Sequence, residues 1–299
     1  MTWKKSVALL SMIIATSVSV AVPASAASAG QVVTRFSEAD RAAALAYWTP
    51  ERMKRLGEQE WLPPAETVGK LWDGALPAGV GRLFFHAEPG GYDESCSATV
   101  VPSATKDVVL TAGHCLNGGF DRWDNVIKHV DMVFVPGYGA GRHKVFAARA
   151  FAWSDTYKGP TSAADDDGVI ALDPLGGEHV ADVAGVQQVS FERPPSPVAT
   201  TMLGYPVSQL ARGEKLVSCE RPATLNTDSV STVWETNCDL AGGSSGGPWL
   251  RDFDPATGKG TIYGVTSRGT MDENGVTTDL SAALFSDAVR DLYASADSL

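Results

Sequence analysis

Leu110-Thr111-Ala112-Gly113-His114-Cys115 brings an apolar strand to a histidine and follows it at once with a cysteine. A general base has to sit within hydrogen-bond reach of its nucleophile, so a turn that a disulfide can tie back is a sensible mount for one. Taken alone, a histidine beside a cysteine is more often structural, and the surrounding sequence has to decide. From Gly79 onward the chain breaks into short β-type runs divided by glycine and proline. Residues 82–85, 97–101, 108–111, 132–135 and 144–151 read as strands, and 169–172, 198–203, 215–219, 230–236 and 261–267 continue the pattern. Many short strands without long helices between them predict antiparallel barrels or a sandwich. Arg193-Pro194-Pro195-Ser196-Pro197 would make a stiff crossing between two halves. Helical spacing is confined to the tail, residues 282–296, where Leu284, Phe285, Val289 and Leu292 share a face.

Two further stretches carry chemistry. In Gly242-Gly243-Ser244-Ser245-Gly246-Gly247-Pro248 the glycines before the serine let two amide N–H groups turn toward one point, which can stabilise an oxyanion. The glycines after it leave the hydroxyl open to a carbonyl. A flexible Gly/Ser loop explains that composition but not the Pro248-Trp249 that follows at once. Asp165-Asp166-Asp167-Gly168 precedes the apolar run 169–172, so a carboxylate there can enter a cleft and orient a histidine. On its own, a run of three aspartates is usually a solvated loop or a loose calcium site.

Together the three resemble the trypsin-like serine proteases, in particular the secreted bacterial branch that includes the glutamyl endopeptidases. The matching pieces are Thr111-Ala112-Gly113-His114-Cys115, Asp166-x-Gly-x-Ile-x-Leu and Gly243-Ser244-Ser245-Gly246-Gly247-Pro248, in the family's order of His, Asp and Ser. Gly264-Val265-Thr266-Ser267-Arg268-Gly269 looks like the strand that runs beside the substrate. The resemblance covers residues 79–295. It implies an all-β fold of two packed six-stranded antiparallel barrels with a C-terminal helix: barrel one over 79–190, barrel two over 198–281, helix over 282–296. It also implies a serine endopeptidase acting on protein or peptide substrates, with no cofactor and no metal. Its catalytic residues would be His114, Asp166 and Ser245, with an oxyanion hole from the N–H groups of Gly243 and Ser245. Ser267 would support Asp166, which alone of the three aspartates sets Gly168 at i+2 and Leu172 at i+6.

The sequence departs from the family in places. Ser244 stands where animal trypsins carry the aspartate that pairs with a newly cut N-terminus, so that switch cannot operate here in the same form. Thr266 falls where glutamyl endopeptidases place a histidine, which leaves glutamate specificity unsupported. Asp239, six residues before Ser245, matches the floor of trypsin's specificity pocket and would favour Lys or Arg at P1; a surface aspartate is the competing reading. Asp239 and Thr266 are thus the candidate substrate-pocket residues.

The ends of the chain set the compartment. Lys4 and Lys5, the apolar run 7–22 and Ala24-Ser25-Ala26 have the order of a cleaved secretory signal over residues 1–26, and the apolar run is shorter than a membrane span needs. Residues 27–75 read as a propeptide or N-terminal extension, with one or two helices over 37–57 broken at Pro50 and a linker at Pro63-Pro64; the protease-like domain occupies 76–299. A net charge of −11 argues against nucleic acid as a partner. The expected mature protein is extracellular, monomeric and free of the membrane.

Cys96, Cys115, Cys219 and Cys238 allow three pairings, and the local choice is Cys96–Cys115 with Cys219–Cys238. His86, His129, His143 and His179 lack metal-ligand spacing and read as surface or packing residues. Gly243-x-Ser245-x-Gly247 also fits the nucleophile elbow of an α/β-hydrolase. That class needs a histidine after the serine, and all five histidines precede Ser245. A catalytically silent, protease-like binding module is the reading from another class.

Overall fold

The computed structural model describes residues 1, 30–141, 144–227 and 231–299. Beyond Met1, the expected signal segment lies outside these residues, as does His143. An N-terminal portion comes first: β1 (Gln31–Arg35), α1 (Glu38–Tyr47), α2 (Pro50–Arg55) and β2 (Lys70–Leu71). The first barrel region holds β3 (Val80–Glu88), β4 (Tyr92–Val100), β5 (Val108–Thr111), β6 (Asn117–Phe120), β7 (Val126–Pro136), β8 (Phe146–Ser154) and β9 (Gly168–Leu172). After α3 (Val180–Ala184) and β10 (Gln188–Val189), the second holds β11 (Val198–Gly204), β12 (Val217–Asn226), β13 (Val233–Thr236), β14 (Pro248–Asp254), β15 (Lys259–Met271) and β16 (Thr277–Ala283). Helix α4 (Asp287–Ser295) closes the fold.

Strands β8, β9, β5, β4, β3 and β7 are neighbours in that order, and β7 returns to β8, closing six antiparallel strands into a barrel. Strands β15, β14, β11, β12, β13 and β16 form the second ring, closed by the pairing of β16 with β15. Closure leaves no unpaired barrel edge. One continuous core joins the halves: Leu83, Phe85 and Leu110 of the first barrel cluster with Leu203, Leu250 and Val265 of the second and with Val289 and Leu292 of α4. Trp234, Trp249 and Tyr263 fill the inside of the second barrel, the rings of Trp234 and Tyr263 meeting edge-on at 5.2 Å.

Two details differ from the sequence reading. Residues 282 and 283 end β16 (Thr277–Ala283) instead of opening the C-terminal helix, because Leu280 and Ala282 alternate with polar neighbours at strand period and pair with β13 and β15. The helix starts after Ser286, whose hydroxyl accepts from the N–H of Val289. Strand β14, overlooked as an extension of the serine loop, places Trp249 in the core.

The N-terminal portion is built onto the first barrel. Helix α1 begins at a capping box of Ser37 and Asp40, and α2 begins at Thr49 with Pro50 in its first turn, so the chain breaks at the expected proline. Strand β1 runs antiparallel to β8 through five residue pairs. Trp48, Met53 and Leu56 pack on Phe84, Val133 and Val135, on the outer face of the barrel. Trp48 is 2% exposed, and burying such a side chain contributes roughly 2–3 kcal/mol.

Candidate active site

Strand β5 ends in a single turn, Gly113–Cys115, which carries His114 at the rim of the first barrel. Cys115 of that turn is joined to Cys96 on β4, the Cα atoms 6.3 Å apart. The second pair is Cys219–Cys238, at a Cα separation of 6.2 Å. His114 binds Asp166 twice: its backbone N–H donates to Oδ1 at 2.7 Å, and Nδ1 meets Oδ2 at 2.9 Å. A buried carboxylate accepting at Nδ1 keeps the proton of the neutral ring there and leaves Nε2 as the acceptor.

Asp166 is 2% exposed, and Ser267 Oγ donates to its Oδ2 at 2.6 Å. Burial by itself would push this carboxyl up; the facing His114 and the hydrogen bonds from His114 and Ser267 outweigh it and hold it below the ordinary carboxylate value. Its two neighbours are placed differently. Asp165 accepts from the hydroxyls of Thr156 and Ser286. Asp167 is fully buried with no partner on either oxygen among the described residues, and burial drives its carboxyl well upward.

The serine loop is shaped by backbone. Gly243 sits at φ +95°, and a Cβ there would come within 2.7 Å of the Tyr205 carbonyl oxygen. Gly246, at φ +77°, has even less room: a Cβ would meet Thr111 Oγ1 at 2.1 Å and the Ala112 nitrogen at 2.8 Å. Thr111 and Ala112 lead directly into His114, so Gly246 is the point where the two barrels press together and bring the serine loop against the histidine turn.

Ser97, which the sequence reading did not single out, clamps this contact from β4. Its N–H donates to the Ser245 carbonyl at 2.7 Å, its Oγ donates to the Gly243 carbonyl at 2.9 Å, and that Oγ accepts from the Tyr205 N–H at 2.9 Å. Ser97 lies 146 residues from Gly243 in sequence, a pairing no local pattern signals.

Within the loop the amides fall into two sets. The N–H groups of Ser244, Gly246 and Gly247 donate to Ala241, Thr266 and Ser244 carbonyls. Among the described residues, the N–H groups of Gly243 and Ser245 have no partner. Gly243, Ser245 and His114 all line one groove of about 530 Å³, whose other walls include Phe85, Glu94 and Trp61. Ser245 Oγ and the imidazole share this groove without a hydrogen bond between them among the described residues, a usual looseness in an unliganded site. A larger surface cavity, about 700 Å³, lies by Pro194, Pro195 and Pro197 and holds none of these groups.

Asp239 and Thr266, the candidate substrate-pocket residues, both engage protein partners. Asp239 is 7% exposed, and its carboxylate accepts from the N–H groups of Thr67, Val68 and Gly69 at 2.6, 2.9 and 2.7 Å and from Thr67 Oγ1 at 3.1 Å. Burial opposes its ionised form, but these hydrogen bonds prevail and lower its pKa. Thr266 is 2% exposed, and its hydroxyl accepts from the Trp249 indole N–H at 3.0 Å. Both polar groups are consumed inside the protein. The ligand atoms of Cys96, Cys115 and His114 lie within 4.8 Å of one another, but the sulfurs are bonded to each other and offer no thiolate to a metal.

No family model and no curated protein matches the sequence. Solved structures do. Protease Anisep from Arthrobacter nicotinovorans shares 27% identity at a TM-score of 0.63, over 76% of this chain and 99% of that one. The thermostable serine protease AL20 from an extremophilic microorganism shares 27% at 0.63, over 74% and 97%. A Glu endopeptidase shares 14% at 0.54, over 79% and 99%, a likeness of fold alone. Two closed six-stranded barrels with these neighbours give the chain the chymotrypsin fold, in the form taken by bacterial trypsin-like serine proteases.

Proposed function

We propose that the chain is a secreted serine endopeptidase in which Ser245 is the nucleophile, His114 the general base and Asp166 the residue that orients it. The observation carrying this reading is the pair of unpartnered N–H groups at Gly243 and Ser245, which border the groove that also holds the ring fixed by Asp166. In this mechanism Ser245 Oγ attacks the scissile carbonyl carbon while His114 Nε2 takes the hydroxyl proton. The carbonyl oxygen becomes an oxyanion and accepts from the two amides. The C–N bond breaks as His114 passes the proton to the leaving amine, and water then repeats both steps on the acyl-enzyme to free Ser245. Two disulfides and the acidic composition suit an extracellular setting, and among the described residues no helix is long and apolar enough to cross a membrane.

The test is a fluorophosphonate probe followed by peptide mapping. Label on Ser245, its loss in Ser245→Ala, and hydrolysis of a casein or peptide-library substrate are the expected results. A folded wild-type protein that takes no label and cleaves nothing would establish the silent binding module instead.

A further inference from the structure

The loop from Cys238 to Ser245 contains no regular secondary structure, yet it has to hold two amides aimed at one point. It is fixed at its far end by Gly246 against Thr111 and at its near end by the disulfide from Cys238 to Cys219 on β12. Between them it is gripped by a segment from the other end of the sequence. Strand β2 pairs with β12 through Leu71 with Val217 and Lys70 with Ser218, which lays residues 66–69 alongside the loop.

Three successive amides there, on Thr67, Val68 and Gly69, converge on the Asp239 carboxylate, with the Thr67 hydroxyl as a fourth donor. A Cβ on Gly69 would stand 2.9 Å from the Leu240 side chain, so the segment lies flush on the next residue too. Glu66 completes the grip: its Oε2 accepts from Ser208 Oγ at 2.6 Å, and its Oε1 faces the Ala241 N–H at 3.5 Å. The neighbour of Ser208, Val207, donates its N–H to the Gly242 carbonyl at 2.7 Å. Glu66–Gly69 thus reaches residues 239, 240 and 241 directly and 242 through Ser208 and Val207, up to the first amide of the oxyanion pair. Ser244 Oγ, meanwhile, turns back to the Ala241 carbonyl at 2.7 Å and anchors nothing outside its own loop.

We propose that Glu66–Gly69 is a clasp that holds the oxyanion loop in its working shape, with Asp239 as the positioning residue through which it acts. The inference rests on the peptidase reading. It gives Asp239 a role independent of substrate charge, and it makes Glu66–Gly69 a part of the N-terminal portion that loop geometry requires, with Pro63 just before it accepting from the Gln209 N–H at 2.9 Å. The active secreted enzyme therefore begins at or before Glu66.

The experiment compares full-length wild type with Asp239→Asn, which keeps the side chain's size but turns an N–H₂ toward amide donors. Three quantities are read on active-site-titrated protein: the fluorophosphonate labelling rate, kcat and KM over peptides differing at P1, and the thermal midpoint. The clasp requires labelling and kcat to fall about tenfold or more whatever the P1 residue, because one misplaced oxyanion donor costs on the order of 10²–10³, with KM changed far less. Loss confined to Lys and Arg substrates would overturn it and return Asp239 to the specificity pocket. A lowered midpoint with an unchanged labelling rate per folded molecule would overturn it as well, leaving a merely structural contact. Should Asp239→Asn fail to fold, N-terminal sequencing of the active secreted protein decides: a start beyond Gly69 refutes the clasp, and a start at or before Glu66 supports it. Wild-type protein without label removes the peptidase reading and the clasp's catalytic role together. Labelled wild type with an unaffected variant removes the clasp alone.

Discussion

Each barrel's contribution to the groove is organised around a buried aspartate, and the two differ in what they organise. At the first barrel's rim, Asp166 receives two bonds from His114 and one from Ser267 and fixes a side chain. At the second barrel's rim, Asp239 receives four bonds from residues 67–69 and fixes a stretch of backbone. In both, burial opposes the charge and hydrogen bonding overcomes it, so both carboxyls titrate below their ordinary range. The contrast teaches that one device, an ionised carboxylate saturated with donors, can orient an imidazole directly or hold a stretch of backbone from behind. The first use leaves a motif of reacting side chains in the sequence. The second leaves only glycines and a carboxylate whose donors lie about 170 residues away.

Replacing the group that both halves serve has the largest expected effect. Ser245→Ala should lower kcat by a factor on the order of 10⁶ with circular dichroism and thermal midpoint unchanged; substantial remaining peptidase activity would dissolve the comparison, since neither aspartate would then serve catalysis. Next comes Asp166→Asn, which leaves the geometry but offers Nδ1 of His114 the wrong partner. A loss of about 10⁴ in kcat near neutral pH is expected, with KM little changed. Equal losses from Asp165→Asn would show that the choice among the three aspartates is mistaken, because among the described residues the Asp165 carboxylate accepts from the Thr156 and Ser286 hydroxyls and not from His114.

The side-chain half was readable at a distance because its chemistry is encoded in consecutive residues. Thr111 to Cys115 gives the strand, the turn, the histidine and the staple in five positions, and the Asp166-x-Gly168 spacing separates one aspartate from its neighbours by register alone. The short apolar runs between glycines narrow the fold to antiparallel barrels or a sandwich, and the resemblance to the trypsin-like proteases supplies the two six-stranded barrels. What was not legible depends on contacts between remote segments. Ser97 sits in an unremarkable strand and becomes a clamp only when the barrels close. Asp239 looked like a pocket carboxylate because its family position says so, and nothing nearby announces that residues 67–69 will fold across it. The boundary between β16 and α4 is blurred in the sequence because Ala282 and Ala283 run straight on into the apolar residues of the helix, and only pairing to β13 and β15 separates them.

Ser97→Ala sharpens the comparison from the barrel-one side of the oxyanion loop. The variant loses the donor to the Gly243 carbonyl and the acceptor for the Tyr205 N–H, and an unpaired buried group costs roughly 1–3 kcal/mol. If a third of that reaches the transition state, kcat falls about twofold to fivefold while Asp166 and His114 remain untouched. The expected signature is a slower fluorophosphonate reaction with an unchanged acid limb of the pH–rate profile. A shifted limb with an unchanged maximum would mean that Ser97 acts on the base and not on the loop.

The smallest effect separates the two halves by pH. His129 lies beneath the His114 turn, 5% exposed, with Nδ1 at 2.9 Å from the Cys115 carbonyl and its ring stacked on Phe85 at 4.3 Å. Burial pushes its pKa down to about 4, with the hydrogen bond to Cys115 opposing. The folded protein therefore prefers neutral His129, while the unfolded chain takes up a proton from about pH 6.5 downward. The stability this represents is fully present above pH 6.5 and drains away as the pH falls toward 4, to about 3 kcal/mol in all. Asp166 and Asp239 act in a lower window: with folded values below the unfolded ones, their contributions hold above about pH 4 and are lost beneath it. Asp167 and Glu94, raised by burial, oppose the upper decline, so each decline is read as the difference in urea unfolding between wild type and variant at half-unit pH steps. His129→Gln should flatten the upper decline and spare the lower, whereas Asp239→Asn should do the reverse. A His129→Gln variant that keeps the full slope between pH 6.5 and 4 would place that decline elsewhere in the molecule.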